Sequence, residues 1–535
     1  MFTDNSIYGI IERVAAKVPQ NYAYWFQDRF ETYERLLDRI HIFAKAMIAS
    51  GIGQHDAVMV ILPNCPQVII SMYAANMIGA VICLVHPASS QNDLQDYAEQ
   101  AKPKIVITTP DRVEMVRTAV GENAIVVATD PMDEIRVAAS LQKLQFRRFL
   151  YNDRMTSKLN SWNAMMQQYS GAANDKSYGN PEDVAMIVFS GGTTGRQKAV
   201  LLSNHNLVAL SEVLQKALPV PNENDGFLVL MPNFHLLGIA CVLFPVSYGI
   251  TAVILPQFSA KTFRDAIVAS GCTFLVGSPS VYISMMNLSN WQKDDLKGLK
   301  MAASAGESLK ESTRSSINAF ISQHGGSVPV QDAYGMTEVC LIAMEDQNTA
   351  QRSVKLTYGT EVLIVDPATR ERLVAGTPGE VLVCNPLLQT KYLNEEDNLA
   401  AIESINGKTY FKTGDMGYLD NAGNLHINGR IKRMIISGGY NIYPDTIENV
   451  INEIPEVREC CVIGVDSENG TQAVKAVMAL HQNNQSDRAA YEAQVKNKII
   501  SHCRNTVTQY EMPTVFEFVD QLPKTLAGKV AFTKL

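Results

Sequence analysis

The sequence predicts an α/β fold: a large N-terminal region of stacked βαβ sheets with a β-rich subdomain, followed by a small α+β C-terminal domain. Two observations support this prediction. From Asp183 onward, short apolar runs alternate with helical stretches, as in βαβ units. After Arg430, the pattern reads strand, helix, strand, strand and helix over about one hundred residues, the size of a separate domain. We therefore expect domains at residues 1–430 and 431–535, with ligands at the carboxyl ends of strands.

Hydrophobic periodicity predicts the individual elements. In the N-terminal region, we expect strands at VAMIVF (184–189), FLVLM (227–231), ITAVIL (250–255), TFLVG (273–277), KMAAS (300–304) and VPV (328–330), and helices at Phe263–Ala269 and Leu309–Gln323. In the C-terminal domain, we expect helices at Asp445–Asn452 and Arg488–Arg504, and strands at Val457–Val465 and Val474–Leu480.

Composition is that of an ordinary globular protein. Of the 535 residues, 46% are hydrophobic and 19% are charged, and the net charge of −8 argues against nucleic-acid binding. The N-terminus lacks the basic and apolar regions of a secretion signal, so a cytoplasmic protein is expected. Residues 68–85 and 236–255 are long apolar stretches, but Gly and Pro interrupt them. Each is predicted to be a helix followed by a strand rather than a transmembrane segment.

The nine cysteines are odd in number and lack the paired spacing of a zinc site. They predict neither a disulfide framework nor a metal centre. The adjacent Cys460 and Cys461 could form a redox pair. Neighbouring residues of a strand face opposite sides of its sheet, however, so two separately packed thiols are the preferred interpretation.

The most informative segment is an apolar strand that runs into a loop rich in glycine and hydroxyl residues. Glycines let backbone N–H groups converge on an anion, hydroxyls add donors, and a lysine adds positive charge, so the loop predicts a phosphate site. Its residues are Ser190, Gly191, Gly192, Thr193, Thr194, Gly195 and Lys198. Two residues separate Gly195 from the lysine, which excludes a Walker A motif. The alternative is a flexible surface loop.

The segment Gln331–Glu338 places an aromatic ring, a hydroxyl and a carboxylate after the VPV strand. Tyr334 could stack on a base, Thr337 could donate to a phosphate oxygen, and Glu338 could hold Mg²⁺, which prefers oxygen ligands. By itself, the segment is equally compatible with a core tyrosine beside an N-cap threonine.

Further polar residues lie nearer the C-terminus. Asp415 stands close to two glycines, which indicates a turn, and residues 421–424 indicate a hairpin connection. Arg430 and Lys432 lie where the large domain gives way to the small one. Lys529 follows a glycine close to the end of the chain, where a solvated tail lysine is the alternative to a functional one.

Together, these segments, in this order and at these separations, resemble the adenylate-forming superfamily of acyl-CoA synthetases, nonribosomal peptide adenylation domains and luciferases. The resemblance covers nearly the whole chain, including residues 62–87, and it implies that the glycine-rich loop binds the pyrophosphate part of ATP. Gly191, Gln197 and Ala199 depart from the family, which usually has a hydroxyl residue, a proline and a glycine there. The Gly-Thr-Thr-Gly centre and Lys198 are retained, so ATP use is expected.

The resemblance also implies which residues contact the nucleotide and its metal. Gly306 and Glu307 would contact the adenine edge, Tyr334 would stack on adenine, Thr337 would touch the α-phosphate, Glu338 would bind Mg²⁺, Asp415 would accept both ribose hydroxyls, and Arg430 would lie near the ribose and phosphates. ATP, Mg²⁺ and coenzyme A are thus the expected cofactors and substrates.

The C-terminal domain carries the implied catalytic and thiol-binding residues. Lys529 would stabilise the negative charge that develops around the α-phosphorus when a carboxylate attacks it. The family moves this domain between two half-reactions, and Lys432 matches its hinge. Gly438 and Gly439 match the segment that admits the pantetheine arm of coenzyme A.

The segment Asn233–His235 resembles the family's entrance to the acid pocket. Relatives that activate amino acids usually have an aspartate at the position of His235, which pairs with the substrate ammonium. Because an unpaired buried ammonium costs several kcal/mol, an uncharged acyl or aryl acid is the better candidate. His235 is interpreted as a gate beside the reacting carboxylate, with a packed core histidine as the alternative.

The predicted function is therefore that of an acyl-CoA synthetase, which converts a fatty or aryl carboxylic acid to acyl-AMP and then to acyl-CoA. One alternative is an acyl-AMP ligase that loads an acyl carrier protein. A second is a non-catalytic adenylate-binding scaffold. Neither nucleic acid nor a transmembrane segment belongs to any of these hypotheses.

Overall fold

The structure is a computed structural model. It describes residues 5–134, 160–170, 179–190, 197–346, 354–385, 390–437, 440–466, 472–481, 488–524 and 530–535. The chain forms two compact units, the first comprising Met1–Glu361 and Cys384–Ile402, and the second comprising Val362–Val383 and Glu403–Leu535. The predicted boundary after Arg430 falls within the second unit and stays a prediction.

Helices and strands alternate along most of the described chain. The helices are α1 (Ile7–Lys17), α2 (Tyr33–Ala49), α3 (Pro66–Met77), α4 (Gln91–Ala101), α5 (Val113–Val120), α6 (Trp162–Gln168), α7 (Asn204–Ala217), α8 (Leu236–Tyr248), α9 (Phe263–Ala269), α10 (Pro279–Met286), α11 (Glu311–Gln323), α12 (Glu395–Ala401), α13 (Pro444–Ile451) and α14 (Arg488–Thr506). The strands are β1 (Tyr22–Phe26), β2 (Arg29–Thr32), β3 (Ala57–Ile61), β4 (Val81–Leu84), β5 (Ile105–Thr108), β6 (Ile125–Ala128), β7 (Asn160–Ser161), β8 (Val184–Ser190), β9 (Lys198–Ser203), β10 (Gly226–Val229), β11 (Thr251–Ile254), β12 (Cys272–Gly277), β13 (Met301–Ala305), β14 (Val330–Met336), β15 (Cys340–Glu345), β16 (Val354–Leu356), β17 (Glu361–Val365), β18 (Gly379–Cys384), β19 (Lys391–Tyr392), β20 (Ile402–Ile405), β21 (Lys408–Leu419), β22 (Leu425–Arg430), β23 (Ile435–Ser437), β24 (Tyr440–Ile442), β25 (Val457–Asp466), β26 (Gln472–Leu480) and β27 (Val515–Val519).

The first unit contains two large sheets. In the described residues, one has eight strands in the order β19-β9-β8-β4-β3-β5-β6-β7, and the other has nine in the order β16-β15-β14-β13-β12-β10-β11-β1-β2. The central strands of both sheets are parallel, whereas β9 and β15 turn back antiparallel to β8 and β14. The carboxyl ends of β8 and β14 therefore each lead into a return connection.

Helices cover these sheets with apolar faces. On the nine-stranded sheet, Phe263, Tyr282 and Ile317 from α9, α10 and α11 belong to one buried cluster. On the eight-stranded sheet, Tyr97 from α4 and Val116 from α5 belong to another. The parallel strands are buried because helices pack on them, which explains their continuous apolar sequences.

The second unit contains the remaining sheets. A five-stranded sheet has the order β17-β18-β21-β20, with β22 paired to β21. Beyond it lie the β23–β24 hairpin and a three-stranded sheet of β25, β26 and β27, against which α13 and α14 pack around buried Ile447, Val462 and Ile499. Cys460 and Cys461 are both buried but belong to different apolar clusters, so the prediction of two separately packed thiols is confirmed.

The α/β fold class predicted from the sequence is confirmed. Each long apolar stretch is a helix followed by a strand, α3 with β4 and α8 with β11, and no helix of the described residues is long and apolar enough to cross a membrane. Most predicted boundaries differ from the observed ones by a residue or more, and two of these differences have a clear physical cause. Helix α11 begins at Glu311 because Lys310 is extended, and β14 begins at Val330 because Pro329 has no N–H to donate.

Arg433 connects three parts of the second unit. Its side chain is only 15% exposed and forms ion pairs with Asp445 and Glu448, one turn apart on α13. It also donates to the backbone oxygen of Val462 on β25 at 3.3 Å and lies 5.4 Å from the ring centre of Phe532. Burial raises the pKa of Glu448, and the positive charge of Arg433 opposes this rise. The positive charge of Arg433 therefore favours the ionised form of the buried Glu448 carboxyl.

Arg433→Met should lower the free energy of unfolding by about 3–5 kcal/mol, because it leaves two carboxylates, one of them buried, without their counter-ion. Urea denaturation followed by circular dichroism measures this loss. The matched control is Arg488→Met, whose arginine is 61% exposed and also pairs with two carboxylates. The control should lose much less stability, because water screens its exposed ion pairs. Equal losses in the two variants would contradict the analysis.

Candidate active site

Polar side chains of the first unit gather where its strands end. Ser190 ends β8, Gly306 and Glu307 follow β13, and Thr337 and Glu338 follow β14. Gly306 has φ +86°, a backbone conformation that favours glycine, so the chain turns sharply out of the sheet there. The half-buried Glu307 is carried by this turn. Strand ends of open α/β sheets are where ligands usually bind.

The two ends of the glycine-rich loop are held together by the sheet. Ser190 on β8 lies opposite Lys198 on β9 in the antiparallel register, and its Oγ donates to the backbone oxygen of Lys198 at 3.4 Å. The other predicted phosphate-binding residues, Gly191, Gly192, Thr193, Thr194 and Gly195, lie outside the described residues.

Lys198 is committed to protein partners in this structure. Its Nζ lies 2.7 Å from Oδ1 of Asp397 on α12, and 5.0 Å from the ring centre of Tyr392. Both side chains of the ion pair are about a third exposed. From the sequence, a phosphate is the predicted partner of Lys198, and the ion pair with Asp397 is not predicted.

Glu338 is buried and held at both ends. The hydroxyl of Tyr392 donates to its Oε1 at 2.7 Å, and the hydroxyl of Thr390 donates to its backbone oxygen at 2.7 Å. A Cβ at Gly335 would lie 1.9 Å from the backbone oxygen of Cys340, so glycine is required for β14 to approach its return strand this closely. Thr337 and Glu338 thus occupy a tight turn between β14 and β15.

Tyr334 lies within β14, opposite Ala343 of β15, and not beyond the end of the strand as the sequence analysis expected. The strand is extended because β15 returns beside it, a pairing that the VPV run alone does not indicate. Tyr334 is partly exposed, so its ring is not a core residue. The alternative of an N-cap threonine is also wrong, because Thr337 precedes a strand and not a helix.

Asp332 precedes Tyr334 by two residues and faces the same side of β14. Its backbone N–H donates to Oε2 of Glu345 at 2.8 Å, and Glu345 is paired with Arg314 at 2.5 Å. Burial raises the pKa of Asp332 to about 7, with Glu345 adding to the rise and Arg314 opposing it. Arg314 therefore acts on both carboxylates, and it also pairs with the Glu311 carboxylate at 3.5 Å.

His235 is the N-cap residue of α8, and it lies at one end of a row of three rings with Phe234 and His86. The ring of Phe234 lies 4.6 Å from that of His235 and 4.4 Å from that of His86, which follows β4. Burial lowers the pKa of His86. Asn64 fixes the loop before His235 by accepting from the backbone N–H of Asn233 at 3.0 Å. The structure therefore adds His86 to the predicted pocket entrance.

In the second unit, Asp415 and Arg430 form a pair. Asp415 is buried within β21 opposite Arg430 of β22, and Nε of Arg430 lies 2.8 Å from its Oδ1. Arg430 also donates to the backbone oxygen of Thr413 at 3.0 Å. The interpretation of Asp415 as a turn residue is wrong, because pairing with a distant strand keeps it extended. The hairpin connection at residues 421–424 is confirmed.

Lys432 is exposed in a 3₁₀ turn, Ile431–Arg433, directly before the buried Arg433. Gly438, Gly439 and Lys529 lie outside the described residues. Lys524 and Val530, on either side of residues 525–529, form an antiparallel bridge. The predicted roles of these residues stay predictions.

Sequence reasoning missed Tyr392, Thr390, His86 and Asp332. Tyr392 lies 54 residues from Glu338 and belongs to no motif, so no local pattern could have found the contact. Asp332 carried no such signal either, because the predicted strand ended at Val330, whereas β14 continues to Met336. Within the described residues, no group of three or more His, Cys, Asp or Glu side chains could hold a metal ion.

Known proteins match the chain along its length. Residues 11–393 match the family described as AMP-binding enzyme, and residues 446–529 match the AMP-binding enzyme C-terminal domain. A long-chain-fatty-acid–CoA ligase from Bacillus subtilis (strain 168) is 25% identical, over 99% of this chain and 94% of its own. An indoleacetate–CoA ligase from Aromatoleum aromaticum (strain DSM 19018 / LMG 30748 / EbN1) is 26% identical, over 97% and 95%.

Solved structures share the fold. The crystal structure of ATP-bound MatB from Rhodopseudomonas palustris superposes with a TM-score of 0.83 at 23% identity, covering 99% of this chain and 98% of that chain. The predicted fold class is confirmed by this similarity as well as by the sheets themselves.

The raised pKa of Asp332 makes stability depend on pH. The folded chain holds this proton more tightly than the unfolded chain, so its contribution is present below the unfolded pKa and is lost as pH rises through 7. Asp332→Asn should abolish that dependence. The difference in the free energy of unfolding between variant and wild type should therefore shift in favour of the variant by roughly 2–4 kcal/mol from pH 5 to pH 8, as measured by urea denaturation.

The matched control is Asp111→Asn, at an exposed aspartate of the same unit. Its difference from wild type should be the same at both pH values. If the difference between Asp332→Asn and wild type also stayed constant from pH 5 to pH 8, the buried carboxyl would not titrate as described.

Proposed function

Because the chain belongs to the AMP-binding enzyme family, we propose that it is an acyl-CoA synthetase. It joins a carboxylic acid to the α-phosphate of ATP, with release of pyrophosphate, and then transfers the acyl group to coenzyme A, with release of AMP. The observation that carries this proposal is the match, over almost the whole length of the chain, to relatives that are named as CoA ligases.

Glu338 is the residue that tests whether Mg²⁺ fits this chain. Its Oε1 accepts from Tyr392, and within the described residues its Oε2 accepts no hydrogen bond. One available carboxylate suits Mg²⁺, which in nucleotide sites is usually held by one or two carboxylates together with substrate phosphates and waters. The ion supplies charge neutralisation to the phosphates when bound. We infer that Glu338 would hold it.

In the first half-reaction, an oxygen of the acid attacks the α-phosphorus and the bond to the pyrophosphate oxygen breaks. Thr337 donates to an α-phosphate oxygen, and Asp415 accepts the ribose hydroxyls. The pairing of Asp415 with Arg430 supports this role, because it orients the carboxylate, and a carboxylate has about four acceptor sites, more than this pair uses. Lys529 stabilises the charge that grows on the phosphate oxygens.

In the second half-reaction, the sulfur of coenzyme A attacks the acyl carbon and the bond to the AMP oxygen breaks. Lys432 is the hinge on which the C-terminal domain turns to bring Gly438 and Gly439 to the pantetheine arm. Two facts support Lys432: it is exposed, and the next residue, Arg433, is anchored to α13 and β25. A backbone rotation at Lys432 therefore leaves the domain beyond it intact.

The acid has an uncharged acyl or aryl tail. His235, Phe234 and His86 lie together at the predicted entrance, and His235 stands where relatives that activate amino acids usually have an aspartate to pair with the substrate ammonium. The two relatives are named for a long-chain fatty acid and for indoleacetate, both of which fit this description.

Release of pyrophosphate across a panel of fatty, aryl and amino acids, with and without coenzyme A, tests the proposal. We expect turnover with a fatty or aryl acid that requires coenzyme A and yields a thioester. If an acid supports pyrophosphate exchange but its acyl group passes only to a carrier protein, then the carrier protein and not coenzyme A is the acceptor. ATP binding without exchange for any acid would overturn the enzymatic proposal.

The two lysines should separate the half-reactions. Lys529→Ala should slow pyrophosphate release by about a hundredfold or more, because transition-state charge loses its cation. Lys432→Pro should leave adenylate formation within about twofold and lower thioester formation by about tenfold, because its φ is locked. Rapid-quench assays of each step make the comparison, with Lys432→Ala as the control that keeps backbone freedom. Equal losses in both steps for Lys432→Pro would refute the hinge.

A further inference from the structure

The short segment Thr390–Tyr392 grips Glu338 at two points. Thr390 holds the backbone oxygen and Tyr392 holds Oε1 of the carboxylate, both at 2.7 Å. The segment reaches Glu338 because β19 adds to the edge of the eight-stranded sheet beside β9, with Tyr392 opposite Val200. Residues far apart in sequence thus meet at the edge of the eight-stranded sheet, beside β9.

Tyr392 is itself held rigidly. Asn398 on α12 accepts from its backbone N–H at 2.6 Å and donates to its backbone oxygen at 2.9 Å. Its side chain is buried, and Lys198 lies against the ring at 5.0 Å from the centre. These contacts fix the backbone and the ring of Tyr392, and they therefore fix the direction in which its hydroxyl faces Glu338.

The carboxylate needs such a frame because the turn that carries it offers little support. Glu338 lies in the β14–β15 turn, where no helix or strand ladder fixes its side chain. A carboxylate that must meet a metal and phosphates works best when one orientation is set beforehand. With Oε1 engaged by Tyr392, Oε2 is the oxygen left for that task.

We propose that Tyr392 is a positioning residue for the Glu338 carboxylate, and that its hydroxyl determines how tightly the chain holds a divalent metal beside a bound nucleotide. This inference rests on the proposed function, since it requires ATP and a metal at Glu338. It assigns to Tyr392 no contact with either of them.

The test uses the full chain with Mn²⁺ as the metal and α,β-methylene-ATP as the nucleotide, because its methylene bridge prevents transfer of the adenylyl group to an acid. Free Mn²⁺, read by electron paramagnetic resonance, gives its Kd in the presence of the analogue, and calorimetry in EDTA gives the metal-free Kd of the analogue. Tyr392→Phe removes only the hydroxyl. Its Mn²⁺ Kd should rise about tenfold, while the metal-free Kd stays within about twofold.

Tyr33→Phe is the matched control, because its buried hydroxyl donates to the backbone oxygens of Pro245 and Ile250. It should change neither constant. Glu338→Gln should weaken Mn²⁺ at least as much as Tyr392→Phe, and the double variant should be no weaker than Glu338→Gln alone. Thr390→Val, which removes the other grip on Glu338, should shift the Mn²⁺ Kd in the same direction.

An unchanged Mn²⁺ Kd in Tyr392→Phe would overturn the inference, as would additive losses in the double variant. An equal loss of metal-free nucleotide affinity would also overturn it, since that result marks a general structural role. If wild type binds the analogue but Tyr392→Phe retains Mn²⁺ normally, only the inference fails. If wild type binds neither the analogue nor Mn²⁺ with it, the proposed function fails and the inference with it.

Discussion

Buried acidic side chains must have partners, and this constraint shapes the described part of both units. Tyr392 donates to Glu338, Arg430 pairs with Asp415, and Arg433 pairs with Glu448. A buried charge without such a partner costs several kcal/mol, so each acidic position commits a second residue elsewhere in the chain. The partners come from other strands or helices, and the polar groups of the candidate site are consequently tied to the packing of the fold.

The parallel sheets explain why polar groups collect at particular places. Their central strands are mostly apolar because helices cover them, so most polar residues of the candidate site in these sheets lie where a strand ends. Ser190 ends β8, Gly306 follows β13 and Glu338 follows β14. The antiparallel returns β9 and β15 then bring the chain back beside β8 and β14. The same two returns position Lys198 beside Ser190 and tighten the turn at Glu338.

Local patterns predicted the fold well, because apolar runs and helical periodicity are properties of short segments. Helix α9 and the hairpin at residues 421–424 were predicted in place. The errors arise from strand pairing between distant segments. Asp415 was interpreted as a turn residue, but it is paired with Arg430 in a sheet. Tyr334 was expected beyond the end of its strand, but the pairing of β15 with β14 keeps it within the strand. The contact of Tyr392 with Glu338 has the same origin, since neither neighbourhood in sequence refers to the other. The motifs led to predicted roles for the site residues, and these roles stay predictions, whereas the contacts that support those residues could not be predicted from local sequence.

The ion pair of Lys198 with Asp397 bears on whether this lysine can still bind phosphate. With both side chains about a third exposed, such a pair contributes about 1 kcal/mol or less, because water screens it and two flexible side chains are ordered to form it. A nucleotide phosphate carries more negative charge than a carboxylate, and charge-assisted hydrogen bonds to it are stronger than neutral ones. Exchange of Asp397 for phosphate therefore costs little, and the ammonium also lies 5.0 Å from the ring centre of Tyr392. The pair is therefore compatible with the phosphate role implied by the sequence.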